Sequence, residues 1–493
     1  MEYILGIDIG TGSTKAVAVN LKGETLSSHQ VYYETKAPEP GYSEQDPEEI
    51  WRAFKTCLLT VFSELTVEPL AISISSAMHS LILVGKDDEL LSPMLTWADS
   101  RSSNIASQIR SSEIAEDLYR HTGTPIHAMS PLCKLIWYKE HQPMLIERIY
   151  KVLSIKEYIW NKLFAEYTID YSIASSTGLF NILSMKWHPQ SLELAGIAED
   201  KLSKLVATDY IRSGSELKDQ SLSAFAATQF VIGASDGCLA NLGSYATEPG
   251  VAALTIGTSG AVRIASRTPI VNYPAMTFNY ILDKEYFICG GPVNNGGSVI
   301  QWLLKNVFQE LELTDDVYNE FFESINAVQP GSEGVIFLPY LSGERAPIWD
   351  SDSCGTFFGL RLQHSKPHLA RAVLEGVCFA LNDVLQVVQN SAETITQINI
   401  SGGFVQSEVW MQMLADITGK KLVLVQNEDA SAIGAVFLAA KTLKLDFSFV
   451  GSELQSIVPD SAKHEHYRKI FPIFKELYHS LSPLMKKLQH QNL

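Results

Sequence analysis

The sequence predicts an α/β fold made of two similar domains, and three features carry that prediction. The chain has 493 residues, which is too long for one hydrophobic core and favours two domains of roughly equal size. Apolar strand-like runs alternate with helical periodicity in the first part of the chain. A pattern of strand, glycine turn and strand occurs twice, once at the start and once near the middle. We therefore place the domains at 1–245 and 246–493.

Local signals define the first elements of this fold. Strands are expected at Tyr3–Asp8, Lys15–Asn20 and Ala71–Ser75. A helix is expected after Asp46, because Pro47 at its first position and two glutamates in its first turn are typical of a helix start.

Composition and charge restrict the kind of protein. An apolar content of 46% and a charged content of 19% are typical of a soluble globular chain. The net charge of −17 argues against a nucleic-acid partner, since phosphate backbones bind basic surfaces. The apolar runs are shorter than the ~20 residues of a membrane span, so no membrane association is expected. A bound phosphate would have to be neutralised by backbone donors and a cation.

The termini and cysteines indicate a cytoplasmic protein. The N-terminus, MEYILGIDIG, lacks the basic region of a signal peptide. The six cysteines are scattered without C-x-x-C spacing, which is typical of reduced thiols and not of disulfides or a zinc site.

An aspartate interrupts the first strand-like run, YILGIDIGTGSTKAVAVN, which begins at Tyr3. Asp8 stands just before Gly-Thr-Gly-Ser-Thr-Lys. The spacing of a Walker loop is absent, and Lys15 stands where the dinucleotide fingerprint has its third glycine. The segment is therefore predicted to be a hairpin. Its turn either wraps a phosphate with backbone N–H groups or only satisfies its own polar groups.

The hairpin pattern returns in VAALTIGTSGAVRIAS, which begins at Val251. Ile256-Gly257-Thr258 aligns with the Ile-Gly-Thr of the first copy, and a second strand follows in both. The second copy has Thr255 where the first has Asp8. Two such hairpins, each opening about half of the chain, indicate duplicated domains with an asymmetric site.

A third glycine cluster lies in INISGGFVQSEVW, which begins at Ile398. Its pattern is a strand, then Gly402-Gly403, then a helix. Backbone approaches a ligand closely at such a turn, which favours a nucleotide site. The same pattern is also common at ordinary strand–helix junctions.

Together these features resemble the actin/hexokinase/Hsp70 superfamily, and within it the FGGY family of carbohydrate kinases. Gly355–Gly376, GTFFGLRLQHSKPHLARAVLEG, fits the C-terminal signature of that family throughout. Met129–His141, MSPLCKLIWYKEH, fits the N-terminal signature through Lys134 and Trp137, although Tyr138 stands where an aliphatic residue or Phe is usual. The resemblance implies two duplicated ribonuclease H-like domains that flank a catalytic cleft.

The resemblance also implies an activity, namely transfer of phosphate from ATP to a hydroxyl of a sugar or polyol. The family's base is an Asp in a glycine-rich segment, here Asp236 of VIGASDGCLANLG. An acid in so apolar a stretch needs a reason to exist, and capping of a helix is the alternative reason. Asp8 resembles the acid that orients Mg²⁺ at the ATP phosphates. The residues that match the family's nucleotide site are Thr11, Gly12, Ser13, Lys15, Thr258, Ser259, Ser298, Gln301, Gly402 and Gly403.

The substrate is expected to be read by the first domain. Met78 and His79 follow a predicted strand, and the segment TWADSRS supplies Asp99 and Arg101. In both places the chain is most similar to the gluconate kinases of the family. Arg101 or His79 is a candidate partner for a substrate carboxylate, Asp99 for hydroxyls, and His127 is a further candidate.

Several alternatives remain open from the sequence. D-gluconate phosphorylated to 6-phosphogluconate is the preferred reaction, and xylulose, another ketopentose or a polyol is the alternative substrate. A nucleotide switch of the actin or Hsp70 type is the alternative from another class. A switch of that type would have no functional role for Asp236 or for the Met78-His79 pair. A homodimer is left open as the oligomeric state.

Overall fold

The structure, a computed structural model, describes residues 2–389, 394–425, 429–447 and 455–490. The chain divides into two compact units. The first unit comprises Met1–Tyr245, Ser266–Cys289 and Asp429–Ser452. The second unit comprises Ala246–Ala265, Gly290–Glu428 and Glu453–Leu493. The functional assignment of 1–245 and 246–493 stays a prediction.

The strands up to residue 245 are β1 (Tyr3–Ile9), β2 (Ser13–Asn20), β3 (Thr25–Tyr32), β4 (Glu44–Gln45), β5 (Ala71–Ser76), β6 (Ile82–Val84), β7 (Met94–Leu95), β8 (Lys151–Leu153), β9 (Thr168–Asp170), β10 (Phe180–Asn181), β11 (Lys186–Trp187), β12 (Lys204–Val206), β13 (Ile211–Ser213) and β14 (Gln229–Val231). The α-helices of this part are α1 (Pro47–Leu65), α2 (Ser103–Arg110), α3 (Ala115–Thr122), α4 (Pro131–His141), α5 (Pro143–Arg148), α6 (Ile155–Phe164), α7 (Tyr171–Ala174), α8 (Pro189–Ala195) and α9 (Asp236–Gly243).

The later strands are β15 (Val251–Ile256), β16 (Gly260–Ser266), β17 (Phe278–Ile281), β18 (Phe287–Val293), β19 (Ile336–Leu338), β20 (Thr356–Phe358), β21 (Gln397–Ser401), β22 (Lys421–Leu424) and β23 (Ser456–Ile457). The later α-helices are α10 (Gly297–Trp302), α11 (Asp315–Asn326), α12 (Lys366–Gln389), α13 (Glu408–Thr418), α14 (Ala430–Leu443) and α15 (Ser461–His490).

The predicted first elements are confirmed. Strands β1, β2 and β5 cover the predicted runs, each longer by one or two residues. Helix α1 begins at Pro47, and the Asp46 side chain accepts a hydrogen bond from the Glu48 N–H. This bond satisfies one of the free N–H groups of the first turn, which is why the helix begins there.

A six-stranded sheet organises the first unit, in the order β13-β14-β5-β1-β2-β3. Strand β1 runs antiparallel to β2 and parallel to β5. Alternate β1 residues serve opposite faces: Leu5 and Ile7 pack into a core with α1 and α6, whereas Ile4 packs against residues of α14. The strand is therefore buried on both faces, as its near-continuous apolar sequence requires.

The second unit repeats this arrangement around β15. Strand β15 runs antiparallel to β16 and parallel to β21, as β1 does with β2 and β5. Asp8 is paired with Ser75 across the parallel ladder, and Thr255 is paired with Ser401 in the equivalent position. The predicted duplication of an α/β unit is confirmed at the level of strand pairing.

Three glycines let α14 approach the rest of the first unit at backbone distance. A Cβ added at Gly6 of β1 would lie 2.0 Å from the Ala432 carbonyl oxygen. A Cβ at Gly243 of α9 would lie 2.0 Å from the Ala430 oxygen. A Cβ at Gly434 of α14 would lie 2.0 Å from the Leu239 oxygen. Helix α14 is thus held between β1 and α9 by contacts that only glycine permits.

Helix α12 is the core helix of the second unit. Within the part of the chain that the structure describes, it is the single helix with the length and apolarity of a membrane span, but 83% of that apolar window is buried in the protein. Such burial is typical of a long helix in the interior of a globular unit.

We predict that Gly434→Ala destabilises the first unit although alanine favours helices. The helix-propensity gain is about 1 kcal/mol. A methyl group 2.0 Å from a carbonyl oxygen must displace backbone, and overpacking of this kind costs up to about 3 kcal/mol. We expect urea denaturation to show a net loss of about 2 kcal/mol in the free energy of unfolding. Lys441→Ala, an exposed change on the same helix, should leave it nearly unchanged. Equal stability of both variants would contradict the close packing.

Candidate functional site

Asp8 lies near the carboxyl end of β1 and is half-buried in the first unit. Its Oδ1 accepts a hydrogen bond of 2.6 Å from the Ser75 hydroxyl on β5. Burial raises the pKa of Asp8, the Ser75 hydrogen bond opposes that rise, and Asp429 reinforces it. An ionised carboxylate here is favoured by any bound cation, because a positive charge stabilises the charged form.

Lys15 makes an ion pair with Asp429 beside this carboxylate. Lys15 is the register partner of Asp8 on β2. Its Nζ lies 2.5 Å from Asp429 Oδ1, and about a quarter of each side chain is exposed. Asp429 immediately precedes α14 and had no motif to mark it in the sequence. The two carboxylates and one ammonium form a partly accessible, net negative cluster.

The turn between β1 and β2 is held in shape by its neighbours. The Gly10 N–H donates to the Ser13 carbonyl at 2.9 Å, and the Tyr33 hydroxyl donates to the Gly10 carbonyl at 2.5 Å. The Thr11 hydroxyl accepts from Trp97 Nε1 at 2.8 Å. An added Cβ at Gly12 would meet no atom within 4 Å. The tip of the turn therefore faces open space, as a phosphate-binding turn must.

Asp236 is the first residue of α9 and is half-buried. Its Oδ1 accepts a hydrogen bond of 2.7 Å from the N–H of the next residue, Gly237. A carboxylate at a helix N-terminus is stabilised by the free N–H groups and the helix dipole. The N-cap position of α9 is Ser235, so Asp236 is the first helical residue and not the capping residue.

His79 adopts a left-handed backbone conformation at φ 64°, and both of its ring nitrogens have partners. Nδ1 lies 2.7 Å from the Ser176 carbonyl, to which it donates. Nε2 lies 3.2 Å from the Tyr280 hydroxyl on β17. Met78 beside it is half-buried. Sequence reasoning missed Tyr280, because it lies 201 positions away along the chain.

Asp99 and Arg101 bind each other in a buried network. Arg101 Nε donates to Asp99 Oδ1 at 2.9 Å, and an NH2 of the same guanidinium donates to Glu44 at 2.6 Å. Asp99 also accepts from the Ser43 N–H at 2.8 Å. The guanidinium carbon lies 3.6 Å from the centre of the Tyr42 ring. The charge of Arg101 is thus compensated by two carboxylates within the protein.

His127, the further candidate, is half-buried. Its Nδ1 accepts a hydrogen bond of 3.2 Å from the Met129 N–H.

Lys134 connects the two segments that were predicted to read the substrate. It is fully buried on α4, and its Nζ donates to the His79 carbonyl and the Thr96 carbonyl, both at 2.7 Å. Burial lowers the pKa of Lys134 to about 7, with an opposing contribution from Asp99. A neutral amine still has the two N–H groups that these two carbonyls require. Lys134 therefore holds both backbone segments whatever its charge.

In the second unit, the turn between β15 and β16 has its own support. Thr258 is exposed and Ser259 is half-buried. The Ser298 hydroxyl donates to the Thr258 carbonyl at 2.9 Å, and the Gly297 N–H donates to the Gly257 carbonyl at 2.8 Å. Gln301 is exposed on α10. The structure thus brings Ser298 to the turn as a support, whereas Gln301 points to solvent.

Gly402 requires its glycine identity. Its φ is 106°, and an added Cβ would lie 2.3 Å from the Ile256 oxygen at the end of β15. Gly403 has nothing within 4 Å of an added Cβ, and both glycines are exposed. A 3₁₀ turn follows the pair, and α13 begins only at Glu408, capped by Ser407. The pair therefore lies beside the β15–β16 turn and not directly at the start of the α-helix.

No cluster of three or more histidine, cysteine or acidic side chains suited to a metal ion occurs among the residues that the structure describes. All six cysteines lie in that part of the chain and are free thiols. A protein-only metal cage is thus absent from these residues.

Two family models together match most of the chain. The N-terminal domain of the FGGY family of carbohydrate kinases matches residues 3–243. The C-terminal domain of the same family matches residues 252–443.

Individual relatives extend over almost the full chain. The present chain is 40% identical to a gluconokinase of Bacillus subtilis (strain 168), over 97% of this chain and 95% of that protein. The crystal structure of a gluconate kinase from Lactobacillus acidophilus superimposes with a TM-score of 0.92 at 32% identity, covering 99% of both chains. A ligand-bound xylulose kinase from the same organism also gives 0.92 at 32% identity, covering 99% of this chain and 100% of that one.

We predict that Lys134 makes stability rise with pH above neutrality. Its pKa is about 7 in the folded protein and ~10.4 in an unfolded chain. Between these values the unfolded chain holds one more proton, so the free energy of unfolding increases by up to about 1.4 kcal/mol per pH unit. Urea denaturation at pH 7, 8 and 9 should show this increase in the wild type. Lys134→Met should be less stable and lack this part of the slope. Parallel pH dependences of the two proteins would show that the lysine does not titrate there.

Proposed function

Because the chain belongs to the FGGY family of carbohydrate kinases, we propose that it transfers the γ-phosphoryl group of ATP to D-gluconate and forms 6-phosphogluconate. It is an ATP-dependent sugar kinase of that family. The observation that carries the choice of gluconate is the 40% identity to a gluconokinase over 97% of the chain.

Xylulose remains the second candidate substrate, on one specific observation. The gluconate kinase and the xylulose kinase of Lactobacillus acidophilus superimpose equally well on this chain. Overall backbone similarity therefore does not separate the two sugars. The higher identity to the Bacillus enzyme and the Ala-Met-His-Ser and Trp-Ala-Asp-Ser-Arg segments support gluconate.

Asp236 is the proposed base that takes the proton of the attacking hydroxyl. Its position at the first residue of α9 suits a negatively charged group, and its partial exposure leaves it reachable by a substrate. Phosphoryl transfer has a loose transition state, so alignment of the hydroxyl with the phosphorus matters more than the strength of the base.

Asp8 is the proposed contact for Mg²⁺. Magnesium prefers oxygen ligands and keeps several waters, so one carboxylate together with substrate phosphates suffices. Ser75 occupies Oδ1 of Asp8, while Oδ2 accepts no hydrogen bond from the described residues, which fits a contact through metal-bound water. When bound, the metal neutralises charge on the transferring phosphoryl group. We propose that the Lys15 ammonium, which is paired with Asp429 here, also binds the γ-phosphate when ATP is present.

The remaining nucleotide contacts are proposed from the two turns. Thr11, Gly12 and Ser13 offer backbone N–H groups at an open turn of the first unit, which supports a phosphate site. Thr258 and Ser259 are the counterparts in the second unit, and Ser298 supports their turn. The exposed Gly402 and Gly403 are proposed to face the adenosine, with Gln301 at the edge of that site.

The substrate is proposed to bind beside Met78, His79 and Asp99. The Asp99–Arg101 network fixes the backbone of these segments. Asp99 is buried and both of its oxygens accept hydrogen bonds from Ser43 or Arg101, so we assign it to holding the site. Because Arg101 is already compensated by Asp99 and Glu44, we assign it to holding the site and not to pairing alone with a substrate carboxylate. We further propose that the enzyme works in the cytoplasm, with a homodimer as one candidate assembly.

We predict that D-gluconate gives the highest kcat/KM among gluconate, D-xylulose, D-ribulose and glycerol. A coupled assay that detects ADP measures all four at equal Mg-ATP. Glycerol, which lacks most of the hydroxyls and the carboxylate, serves as the negative substrate. A preference for xylulose would replace gluconate in the proposal, and no turnover of any sugar would reject the kinase assignment of the site.

Asp8 and Asp236 should fail in different ways. Asp236→Asn is expected to lower kcat by about 10²–10⁴-fold, the usual contribution of a general base, without changing ATP affinity. Asp8→Asn should instead raise the Mg²⁺ concentration required for half-maximal rate. Asp117→Asn removes an exposed acid on α3 and is the matched control. Near-normal turnover of Asp236→Asn, or an unchanged Mg²⁺ requirement in Asp8→Asn, would contradict the respective assignment.

A further inference from the structure

We propose that Lys156 and Ser172 are positioning residues that hold the backbone immediately before Asp236 and thereby aim its carboxylate. The inference rests on the proposed function, in which Asp236 is the base. It assigns a role to a buried lysine, a buried aspartate and a buried serine that no motif of the family singled out in the sequence.

Lys156 lies on α6 with its ammonium in the interior of the first unit. The residue is 1% exposed. Its Nζ donates to the carbonyl of Ala234 at 2.8 Å and pairs with Asp170 Oδ2 at 2.9 Å. Ala234 is two residues before Asp236. A buried ammonium is costly unless it is paired and hydrogen-bonded, so both partners constrain its position.

Asp170 connects this lysine with a second contact to the same segment. Its Oδ1 accepts from the Ile173 N–H at 3.0 Å and so caps α7. Helix α7 carries Ser172, whose hydroxyl donates to the Ser235 hydroxyl at 2.9 Å and accepts from the Ser235 N–H at 3.0 Å. Both residues that precede Asp236 are therefore held by side chains from two different helices.

The path of the chain before these residues is also fixed. Gly233 has φ 75°, and an added Cβ would lie 2.1 Å from the Ile74 carbonyl oxygen of β5. Ser235 then makes a parallel bridge to Ser76 at the end of β5. The position of Asp236 is thus fixed relative to β5. The same strand carries the Ser75 hydroxyl that donates to Asp8. Lys156 and Ser172 add side-chain contacts to those that β5 makes with this segment.

The ion pair of Lys156 and Asp170 also influences the electrostatic environment of Asp236. Burial lowers the pKa of Lys156, and Asp170, Cys238 and Asp236 oppose that effect. Glu157, the neighbour on α6, is buried as well, and burial raises its pKa to about 7. Removal of the lysine leaves Asp170 uncompensated and raises the pKa of Asp236, because like charges disfavour ionisation. Removal of Asp170 alone should lower the pKa of Asp236, because the positive charge of Lys156 then has no other acidic partner in the pair.

The test uses full-length protein and the pH dependence of kcat/KM for gluconate. Lys156→Met should lower kcat by about 10- to 100-fold, as loss of a partner that orients a catalytic group does, with KM for ATP nearly unchanged. Its acidic limb should move to higher pH by about one unit. Asp170→Asn should move that limb to lower pH. The double variant Lys156→Met/Asp170→Asn should return the acidic limb to its wild-type pH, because both charges are absent. It should not recover kcat, because the contact of Lys156 with the Ala234 carbonyl is lost.

Two further variants separate positioning from folding. Lys156→Arg keeps the charge and a donor, so it should recover part of kcat. Ser172→Ala removes no charge and should lower kcat about tenfold without moving the acidic limb. If Lys156→Met does not fold, Ser172→Ala becomes the deciding variant. An unchanged kcat in Ser172→Ala then overturns the inference.

A buried ion pair elsewhere provides the control for lost stability. Arg371 and Glu375 are paired at 2.8 Å in the second unit. Arg371→Met should destabilise the protein without moving the acidic limb. If Lys156→Met behaves in the same way, the lysine is merely structural and the inference fails. If the wild type phosphorylates no sugar, or Asp236→Asn keeps its rate, the proposed function fails instead.

Discussion

The first unit depends on the backbone contact of α14 with β1 and α9. Three carbonyl oxygens lie where a Cβ of Gly6, Gly243 or Gly434 would have to be, so a residue larger than glycine at any of them separates the elements. The contact brings Asp429 to Lys15 on β2, 414 positions away along the chain. It also fixes α9, whose first residue is Asp236. This backbone contact, which involves no polar side chain, therefore contributes to the placement of Lys15, Asp429 and Asp236.

Electrostatic compensation is local throughout this unit. The chain has a net charge of −17, so its overall charge does not favour the binding of a phosphate. The structure instead places single lysines where they hold backbone carbonyls: Lys134 at His79 and Thr96, and Lys156 at Ala234. Each buried lysine thereby fixes a segment that carries a proposed site residue. Because a buried amine or ammonium loses stability when its N–H groups are left without partners, these bonds oppose separation of the segments.

Short-range patterns made the architecture readable from the sequence. The strand periodicity, the Asp46-Pro47 helix start and the two Gly-Thr hairpins are signals within a few residues, and the structure confirms each. The long-range partners were not readable. Ser75, Tyr280 and Asp429 belong to no motif, and only the fold brings them to Asp8, His79 and Lys15. For the same reason the sequence showed Asp99 near Arg101 but not Glu44, the second carboxylate partner, which lies 57 positions away.

Those partners bear on how a sugar acid is distinguished from a neutral sugar. Arg101 is already paired with Asp99 and Glu44, so it offers a substrate carboxylate no uncompensated positive charge. His79 cannot easily compensate, since its Nδ1 donates to a carbonyl and its Nε2 contacts Tyr280. In the proposed site, a gluconate carboxylate would therefore be directed away from this network, since both Asp99 oxygens are already occupied by Ser43 and Arg101. Under this proposal, selectivity depends on how the chain of hydroxyls is oriented beside the backbone at His79 and Thr96, which the Lys134 bridge holds together.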